Sequence, residues 1–328
     1  YGNSLLYRGY KNGHRFEDRI KFGPTLYQKD ISGTAYALDG TRVAPKLFDK
    51  MSQVKEYEQQ YGGIGNKELY GNKNYVVQFI QEKFSNNIEF DRDTINVTNI
   101  DIETASDDGF PEPQLAEKEV TAITMKNNVD GIYYVWGCDE WDKSKTVMSH
   151  VNVIYEQCKD EIELLAKFVG HWSSPIHSPD VITGWNTRFF DIPYLVNRVS
   201  RVMSKSHTRK FCLWNMLPKE RKFERFGAEQ QTYDLHGRVH MDYMQLYRKY
   251  TYHEMHSYSL DAIGEYELGD RKVDYEGTLD QLYNNDFEKF IAYSRQDVDL
   301  LVNLDKKLQF IDLANVLAHS NTVLLQTT

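Results

Sequence analysis

The feature that most constrains this chain is residues 96–104, with the sequence Asn-Val-Thr-Asn-Ile-Asp-Ile-Glu-Thr. Its β-branched residues and its length are typical of a β-strand. Because side chains alternate between the two faces of a strand, Asp101 and Glu103 project from the same face. Two neighbouring carboxylates repel each other unless a cation lies between them, and oxygen ligands suit Mg²⁺ or Mn²⁺. Two solvated acids at the end of a strand fit the same pattern.

Length and composition predict a folded protein of two domains. The chain has 328 residues, of which 41% are hydrophobic, and this is enough for real cores. The net charge of −9 argues against a simple basic nucleic-acid binder but does not exclude local basic patches. No run of about 18 apolar residues is present, so we expect no membrane span. The three cysteines lie far apart, which fits a reducing, cytosolic setting.

The first part of the chain carries hairpin and turn signals. An Asn-Gly pair at 12–13 predicts a β-hairpin within residues 4–27. Residues 75–88 have the pattern of a helix that runs into a strand. We therefore predict a smaller, β-rich α+β N-terminal domain over residues 1–92. Because the chain starts with Tyr1 rather than Met and has no signal peptide, we expect that the true N-terminus is missing.

From residue 95 onward the pattern is first strand-rich and then alternates between helices and strands. Short turns between the first three strands predict an antiparallel meander. Asp191 precedes the second helix and is placed to cap it. This order predicts an α/β domain with a mixed sheet. The predicted strands are 96–104, 120–125, 131–136 and 180–186, and the predicted helices are 161–172 and 192–202.

Two further acids lie in patterns that favour a shared site. Asp191 ends the segment Gly-Trp-Asn-Thr-Arg-Phe-Phe-Asp at 184–191, where a plain helix cap is the simpler interpretation. Asp297 ends the segment Tyr-Ser-Arg-Gln-Asp at 293–297, inside a helical pattern of apolar residues. Tyr293 and Asp297 are four residues apart and share one helix face, so that together they can touch a metal-bound water.

The order and spacing of these motifs resemble the family B DNA polymerases, most closely the replicative polymerases of T-even-like bacteriophages. Residues 101–103, 186–191 and 293–297 are similar to the three exonuclease motifs of that family. The likeness covers essentially the whole chain. It implies a ribonuclease H-like exonuclease domain over residues 93–312, with residues 313–328 as the start of a connection to a missing polymerase region.

The resemblance implies a metal-dependent 3′→5′ exonuclease that removes nucleotides from single-stranded or frayed primer ends. Two divalent ions, Mg²⁺ or Mn²⁺, would serve the hydrolysis. Asp101 would bridge both ions, and Glu103 and Asp297 would hold the ion that activates water. Asp191 would act on the leaving-group side through water. Tyr293 would orient the attacking water or the scissile phosphate.

Basic and aromatic residues suggest contacts with DNA. Residues 198–225 contain nine Lys and Arg residues against two acids. Such a run is usually a solvated surface loop. In a protein that must hold a DNA strand, a patch that contacts the phosphates is the more attractive interpretation. By resemblance, residues 218–233 correspond to a β-hairpin that separates primer from template, and Phe223 is placed to stack on unpaired bases. The predicted DNA-binding residues are Asn186, Arg188, Phe190, Arg209, Lys210, Arg221 and Lys222.

Two more aspartates lie close to the motifs. Asp242 follows a presumed strand and is placed to support the site without entering it. Asp299 is predicted to be an exposed helix residue.

A second hypothesis is a nucleic-acid-binding module with little activity of its own. Tyr7, Tyr10, Phe16 and Tyr27 offer stacking surfaces for RNA or a template strand, although aromatic residues in strands are more often core. The intact carboxylate set favours the enzyme, and the Tyr-x-x-x-Asp motif disfavours a general ribonuclease. The implied partners are single-stranded and primer–template DNA, the missing polymerase domains, a sliding clamp and a single-strand-binding protein. The implied location is the cytoplasm of an infected bacterium.

Overall fold

A computed structural model describes residues 1–84, 92–106, 109, 111–145, 152–225 and 227–328. The chain forms two compact units, residues 1–90 with 316–328 and residues 91–315. Within the described part of the chain, no helix combines the length and the apolar character needed to cross a bilayer. The strand predicted after the helix at residue 75 lies outside the described residues.

The first unit contains an antiparallel hairpin and a four-stranded sheet. The hairpin is confirmed: its two strands pair across Asn12 and Gly13, whose φ angles of 52° and 74° suit a tight turn between twisted strands. It ends earlier than predicted, because Tyr27 lies in a strand of the second sheet, whose order is β4-β5-β3-β6. The elements are β1 Ser4–Lys11, β2 His14–Lys21, β3 Thr25–Lys29, β4 Ala35–Tyr36, β5 Arg42–Leu47, α1 Met51–Tyr61, β6 Leu69–Tyr70 and α2 Tyr75–Lys83.

The second unit is an α/β domain built on a six-stranded mixed sheet of order β10-β9-β8-β7-β11-β14. The antiparallel meander is confirmed, since β8 pairs antiparallel with both β7 and β9. The outer strands on both sides add parallel pairs, which makes the sheet mixed. The strands are β7 Val97–Thr104, β8 Val120–Asn127, β9 Tyr133–Gly137, β10 Val153–Gln157, β11 Val181–Thr183 and β14 Val239–His240, and a separate hairpin joins β12 Lys219–Arg225 to β13 Ala228–Asp234.

The longest described helix, α8 (Phe287–Leu308), covers the face of the sheet on which Asp101 and Glu103 project. Its buried apolar residues include Phe290 and Ile291, which pack with Ala122 of β8. A hydrogen bond of 2.9 Å between the hydroxyls of Thr124 and Ser294 fixes the helix on the strand. The helices are α3 Glu161–Trp172, α4 Asp191–Val202, α5 Tyr243–Tyr250, α6 Leu260–Leu268, α7 Leu279–Asn285, α8 Phe287–Leu308 and α9 Phe310–Asn321.

The helix at 161–172 has the predicted bounds, whereas the cap assigned to Asp191 was wrong. Helix α4 begins at Asp191 itself, and Phe190 is its N-cap residue. The carboxylate of Asp191 accepts a hydrogen bond from the backbone N–H of Ile102 on the central strand β7.

Candidate metal centre

The central strand β7 supplies the first two carboxylates of the site. Asp101 lies opposite Thr124 and Glu103 lies opposite Ala122 on β8. Asp101 is half-buried, and Glu103 is only 7% exposed.

Helix α8 brings the third carboxylate to the same place. One carboxylate oxygen from each of Asp101, Glu103 and Asp297 lies within 4.8 Å of the other two, and this is the one such acidic group among the described residues. Asp297 is 5% exposed. Tyr293 lies one helical turn before it, as the spacing predicts, and is half-buried beside Tyr275. The strand and the helix thus join residues that are nearly 200 positions apart in sequence.

Two oxygen atoms of this cluster have unmet hydrogen-bonding capacity. Glu103 Oε1 and Asp297 Oδ1 are buried and have no hydrogen-bond partner among the described residues. An unpartnered buried carboxylate oxygen is costly. A divalent cation satisfies such oxygens and also removes the repulsion between the acids. The residues present therefore fit a hard metal ion.

The electrostatics of the cluster agree with this fit. Burial, followed by repulsion from Glu103, Asp297 and Asp191, raises the pKa of Asp101 well above its usual value. Burial and the charge of Asp297 do the same to the pKa of Glu103. Burial also raises the pKa of Asp297, although Lys272 opposes the rise. Like-charged acids held together in a low-dielectric site are a common mark of a metal or catalytic centre.

A cation of the chain itself, Lys272, lies in the centre. Its ammonium group donates a hydrogen bond to Asp297 Oδ2 and another, of 3.2 Å, to the hydroxyl of Tyr293. Burial opposes its charge, yet Asp297, Tyr293 and Asp101 keep the pKa of Lys272 above its usual value. Lys272 therefore stays charged and partly balances the acids.

Sequence reasoning missed Lys272. It lies in the loop between α6 and α7, where Arg271 and Lys272 have the pattern of two solvated charges. The backbone N–H of Lys272 donates to Asp261 Oδ1 at 3.0 Å, so the start of α6 anchors the loop that carries it. No local pattern marks this residue, because only the packing of α6 on α8 brings it to Asp297.

Asp191 contacts the backbone of β7 between the two strand acids. Its Oδ1 accepts a hydrogen bond of 3.1 Å from the backbone N–H of Ile102, the residue between the two strand acids. Burial raises the pKa of Asp191 to about 7, while the N–H groups of Asp191 and Ile102 limit the rise. The structure thus places all four predicted carboxylates around one stretch of β7, with Asp101, Glu103 and Asp297 as the close group.

The predicted DNA-binding residues fall into three groups, of which the third is the cation pair Arg221 and Lys222 on β12. Asn186, Arg188 and Phe190 lie in the turn that leads to Asp191, and Asn186 has a left-handed φ of 63°. Arg209 and Lys210 lie in a short 3-10 helix after α4, where Arg209 donates to the carbonyl of Asn215 at 2.7 Å.

The hairpin cations are paired with acids on the neighbouring strand. Arg221 contacts Asp234 at 2.5 Å, and Lys222 contacts Glu229 at 2.9 Å. Four acids in residues 219–234 balance four basic residues there. Residues 198–225 look basic because the acids that neutralise the hairpin lie on the following strand, β13.

Two other aspartates have clear positions. Asp242 is buried, caps α5 and accepts a hydrogen bond of 2.9 Å from the backbone N–H of Arg188. The prediction that Asp299 is exposed was wrong. Asp299 is half-buried, and its carboxylate accepts a hydrogen bond from the hydroxyl of Tyr133.

Comparisons with known proteins point to one family. Residues 50–263 match the family model described as "DNA polymerase family B, exonuclease domain". The chain is 29% identical to the DNA-directed DNA polymerase of Escherichia phage RB69, over 92% of this chain and 36% of that protein. It is 26% identical to the DNA-directed DNA polymerase of Enterobacteria phage T4, over 95% of this chain and 37% of the relative.

A cellular relative is similar over a shorter stretch. The DNA polymerase delta catalytic subunit of Candida albicans is 27% identical over 65% of this chain and 21% of that protein. The chain therefore spans little more than a third of the length of the phage polymerases that it matches. The family match includes Asp101, Glu103 and Asp191, and it ends before Tyr293 and Asp297.

Proposed function

Because the chain belongs to the exonuclease-domain family of the family B DNA polymerases, we propose that it is a metal-dependent 3′→5′ DNA exonuclease. Its substrate would be a single-stranded or frayed primer end, and its role would be proofreading. The observation that carries the proposal is the close buried group of Asp101, Glu103 and Asp297, with two carboxylate oxygens lacking partners. We also propose that the exonuclease domain has a ribonuclease H-like fold and spans residues 93–312, and that the N-terminal domain spans residues 1–92.

The four carboxylates would hold two divalent ions. Asp101 would bridge them, Glu103 and Asp297 would bind the ion on the side of the attacking water, and Asp191 would act on the leaving-group side. When bound, such ions lower the pKa of water and stabilise the negative charge that develops on the leaving oxygen. The burial of Glu103 and Asp297 keeps bulk water from competing for these ligands.

Two side chains of α8 and its neighbouring loop would organise the reacting groups. The Tyr293 hydroxyl keeps its proton, because burial and the charges of Asp297 and Glu103 raise its pKa. It is therefore a hydrogen-bond donor for an attacking water or for a phosphate oxygen. Lys272 lies beside it and would offset the charge of Asp297 and of an incoming phosphate.

The DNA strand would lie along the turn before α4. Asn186, Arg188 and Phe190 would contact the end of the strand, and Arg209 and Lys210 would contact phosphates. Arg221 and Lys222 would also contact the DNA but would contribute less to its binding, because Asp234 and Glu229 already pair with them.

The whole polymerase would supply the remaining partners. We propose that this chain works with polymerase domains that it does not contain, and with primer–template DNA, a sliding clamp and a single-strand-binding protein. The proposed location is the cytoplasm of an infected bacterium.

A second candidate function concerns the first unit, which has a cavity of about 720 Å³. Tyr27, Tyr36 and Tyr70 line it together with Asp39 and Asn72. Tyrosine rings beside polar groups suit an unpaired base of RNA or of a template strand. Tyr7 and Phe16 are less suited to this role, since Tyr7 packs edge-on against Phe16 with ring centroids 5.1 Å apart.

Digestion of end-labelled oligonucleotides tests the first function against the second. With Mg²⁺, a 5′-labelled single strand should give a ladder that shortens from the 3′ end, and EDTA should abolish it. The Asp101→Ala/Glu103→Ala protein should still bind the strand but leave it intact. Strand binding without cleavage by the unaltered chain would favour the binding module, and cleavage that persists in the double variant would place the active site elsewhere.

A further inference from the structure

The turn at residues 184–191, which carries Asp191 to the centre, is a constrained piece of backbone. Asn186 adopts a left-handed φ of 63°, which costs free energy for most residues and less for Asn. The backbone N–H groups of Phe189 and Phe190 both donate to the carbonyl of Asn186 at 3.1 Å. Such a conformation persists only where its surroundings hold it.

Asp242 provides such a hold. Its Oδ2 accepts from the backbone N–H of Arg188 at 2.9 Å, and its Oδ1 accepts from that of Gln245 at 3.2 Å. Asp242 is 3% exposed, so water does not compete for either bond. One oxygen therefore caps α5, and the other fixes the turn.

The strand and helix around Asp242 hold the same turn at further points. The Thr187 hydroxyl lies 3.0 Å from His240 Nε2, and the Tyr243 N–H donates to the carbonyl of Gly184 at 2.9 Å. A Cβ atom at Gly184 would come within 2.6 Å of the Ile100 carbonyl oxygen. The turn is thus pressed against β7 with no space to shift toward it.

The turn leads directly to the metal centre. The N–H of Ile192 donates to the carbonyl of Thr187 at 3.0 Å, which ties the start of α4 to the turn. Asp191 then meets the N–H of Ile102, between Asp101 and Glu103. A movement of the turn would therefore move Asp191 relative to the two strand acids.

We propose that Asp242 is a positioning residue for the metal centre, which acts through the turn and Asp191 and touches neither metal nor DNA. The proposal rests on the function proposed above and adds a residue to it. Partners that orient metal ligands commonly change metal affinity or activity 10- to 100-fold when they are lost.

The competing explanation is that Asp242 is only the cap of α5. Asp242→Ser separates the two roles, because serine is an equally good N-cap but its single short hydroxyl cannot serve both N–H groups. Asp242→Asn is a second, isosteric variant, which keeps one oxygen and loses the other acceptor. Asp160→Ser is the matched control, since Asp160 caps α3 with a bond of 2.8 Å to the Glu163 N–H.

The test measures kcat and KM on a single-stranded oligonucleotide and Mn²⁺ affinity by the electron paramagnetic resonance signal of free Mn²⁺. Asp242→Ser and Asp242→Asn should each lower kcat about 10- to 100-fold. KM should change less than about twofold, and Asp160→Ser should leave kcat within about twofold of the unaltered protein. In an Asp191→Asn background, Asp242→Ser should lower kcat little further, because both changes act through the same carboxylate.

Two results would overturn the proposal. The first is that both Asp242 variants have the same kcat as Asp160→Ser. The second is that Asp242→Ser lowers kcat by the same factor in the Asp191→Asn background as in the unaltered protein. If the unaltered protein binds Mn²⁺ but cleaves no DNA, the proposed function fails and the positioning role is decided by Mn²⁺ affinity. That affinity should then fall about tenfold in the Asp242 variants alone.

Discussion

Two buried carboxylate sites in the second unit make opposite use of their charge. Glu161 accepts hydrogen bonds of 2.7 Å from Arg198 Nε, from Arg198 Nη2 and from the backbone N–H of Val120. The third nitrogen of Arg198, Nη1, donates hydrogen bonds to the carbonyls of Ala116 and Glu117. In this pair every charge has a partner, so the site is complete without a ligand.

The candidate metal centre, by contrast, has charges and oxygen atoms without partners among the described residues. One carboxylate oxygen from each of Asp101, Glu103 and Asp297 lies within 4.8 Å of the other two, and Lys272 donates a hydrogen bond to Asp297. Two of the carboxylate oxygens have no hydrogen-bond partner in the described part of the chain. The two sites show that buried acids alone do not indicate a functional site. Buried acids whose charge is not balanced and whose oxygens lack hydrogen-bond partners do indicate one.

Removal of one acid from the candidate metal centre should have the largest effect on activity. Asp101→Ala should slow cleavage about 1,000-fold or more, since catalysis by metal ions contributes several kcal/mol and about 1.4 kcal/mol is a factor of ten. In EDTA the variant should unfold at the same temperature as the unaltered protein or higher, because one repelling charge is gone. Single-turnover digestion and thermal unfolding measure the two effects, and cleavage at an unchanged rate would refute the assignment.

Replacement of the acid by alanine at the Glu161–Arg198 pair should instead lower the stability of the fold. Glu161→Ala leaves the guanidinium of Arg198 buried without its partner, and breaking such a pair typically costs about 3–5 kcal/mol. The side chains are 10% and 11% exposed, so solvent does not screen the loss. Urea unfolding should show the lower stability. An unfolding free energy equal to that of Asp101→Ala would remove the contrast between the two sites.

The pH dependence of stability should come from the candidate metal centre. Burial raises the pKa of Asp101, Glu103 and Asp191, that of Asp191 to about 7, so between about pH 4 and pH 7 the folded chain keeps protons that the unfolded chain has already released. Stability in EDTA should therefore fall as the pH rises through this range, and Mg²⁺ should restore it at pH 7. Thermal unfolding of the unaltered protein and of Asp101→Asn measures the effect, which should be smaller in the variant. Equal slopes for the two proteins would contradict the assignment.

Paired surface charges should give the smallest effect. Each phosphate contact that is lost should reduce the slope of log K against log salt by about one. Arg209→Ala/Lys210→Ala should flatten the salt dependence of DNA binding more than Arg221→Ala/Lys222→Ala, because acids of β13 already neutralise the latter pair. Fluorescence anisotropy at several salt concentrations measures the slopes. If Arg221→Ala/Lys222→Ala flattens the slope more, Arg209 and Lys210 belong to a solvated loop and do not contact phosphates.

Much of this site could be predicted from local sequence. A strand has a period of two, so Asp101 and Glu103 had to share a face wherever the strand paired. A helix has a period near 3.6, so Tyr293 and Asp297 had to lie one turn apart. Short turns between strands also predicted the meander, and helical periodicity predicted the bounds of α3.

The rest depends on contacts between distant parts of the chain. Asp191 has the sequence pattern of a cap, yet Ile102, 89 positions away, supplies its hydrogen-bond donor. Lys272 and Asp299 look solvated because their partners, Asp297 and Tyr133, are reached only through the packing of α8. The hairpin looked basic because its neutralising acids lie on the returning strand.

The most direct test of the account is a count of Mn²⁺ ions bound by the unaltered protein, by Asp101→Asn/Glu103→Gln and by Glu161→Gln. Isothermal titration calorimetry without DNA gives the number and affinity of the ions. We expect Mn²⁺ to bind to the unaltered protein and to Glu161→Gln alike, and to be lost from the double variant. Equal Mn²⁺ binding by all three proteins would contradict the assignment of the β7 acids to a metal centre.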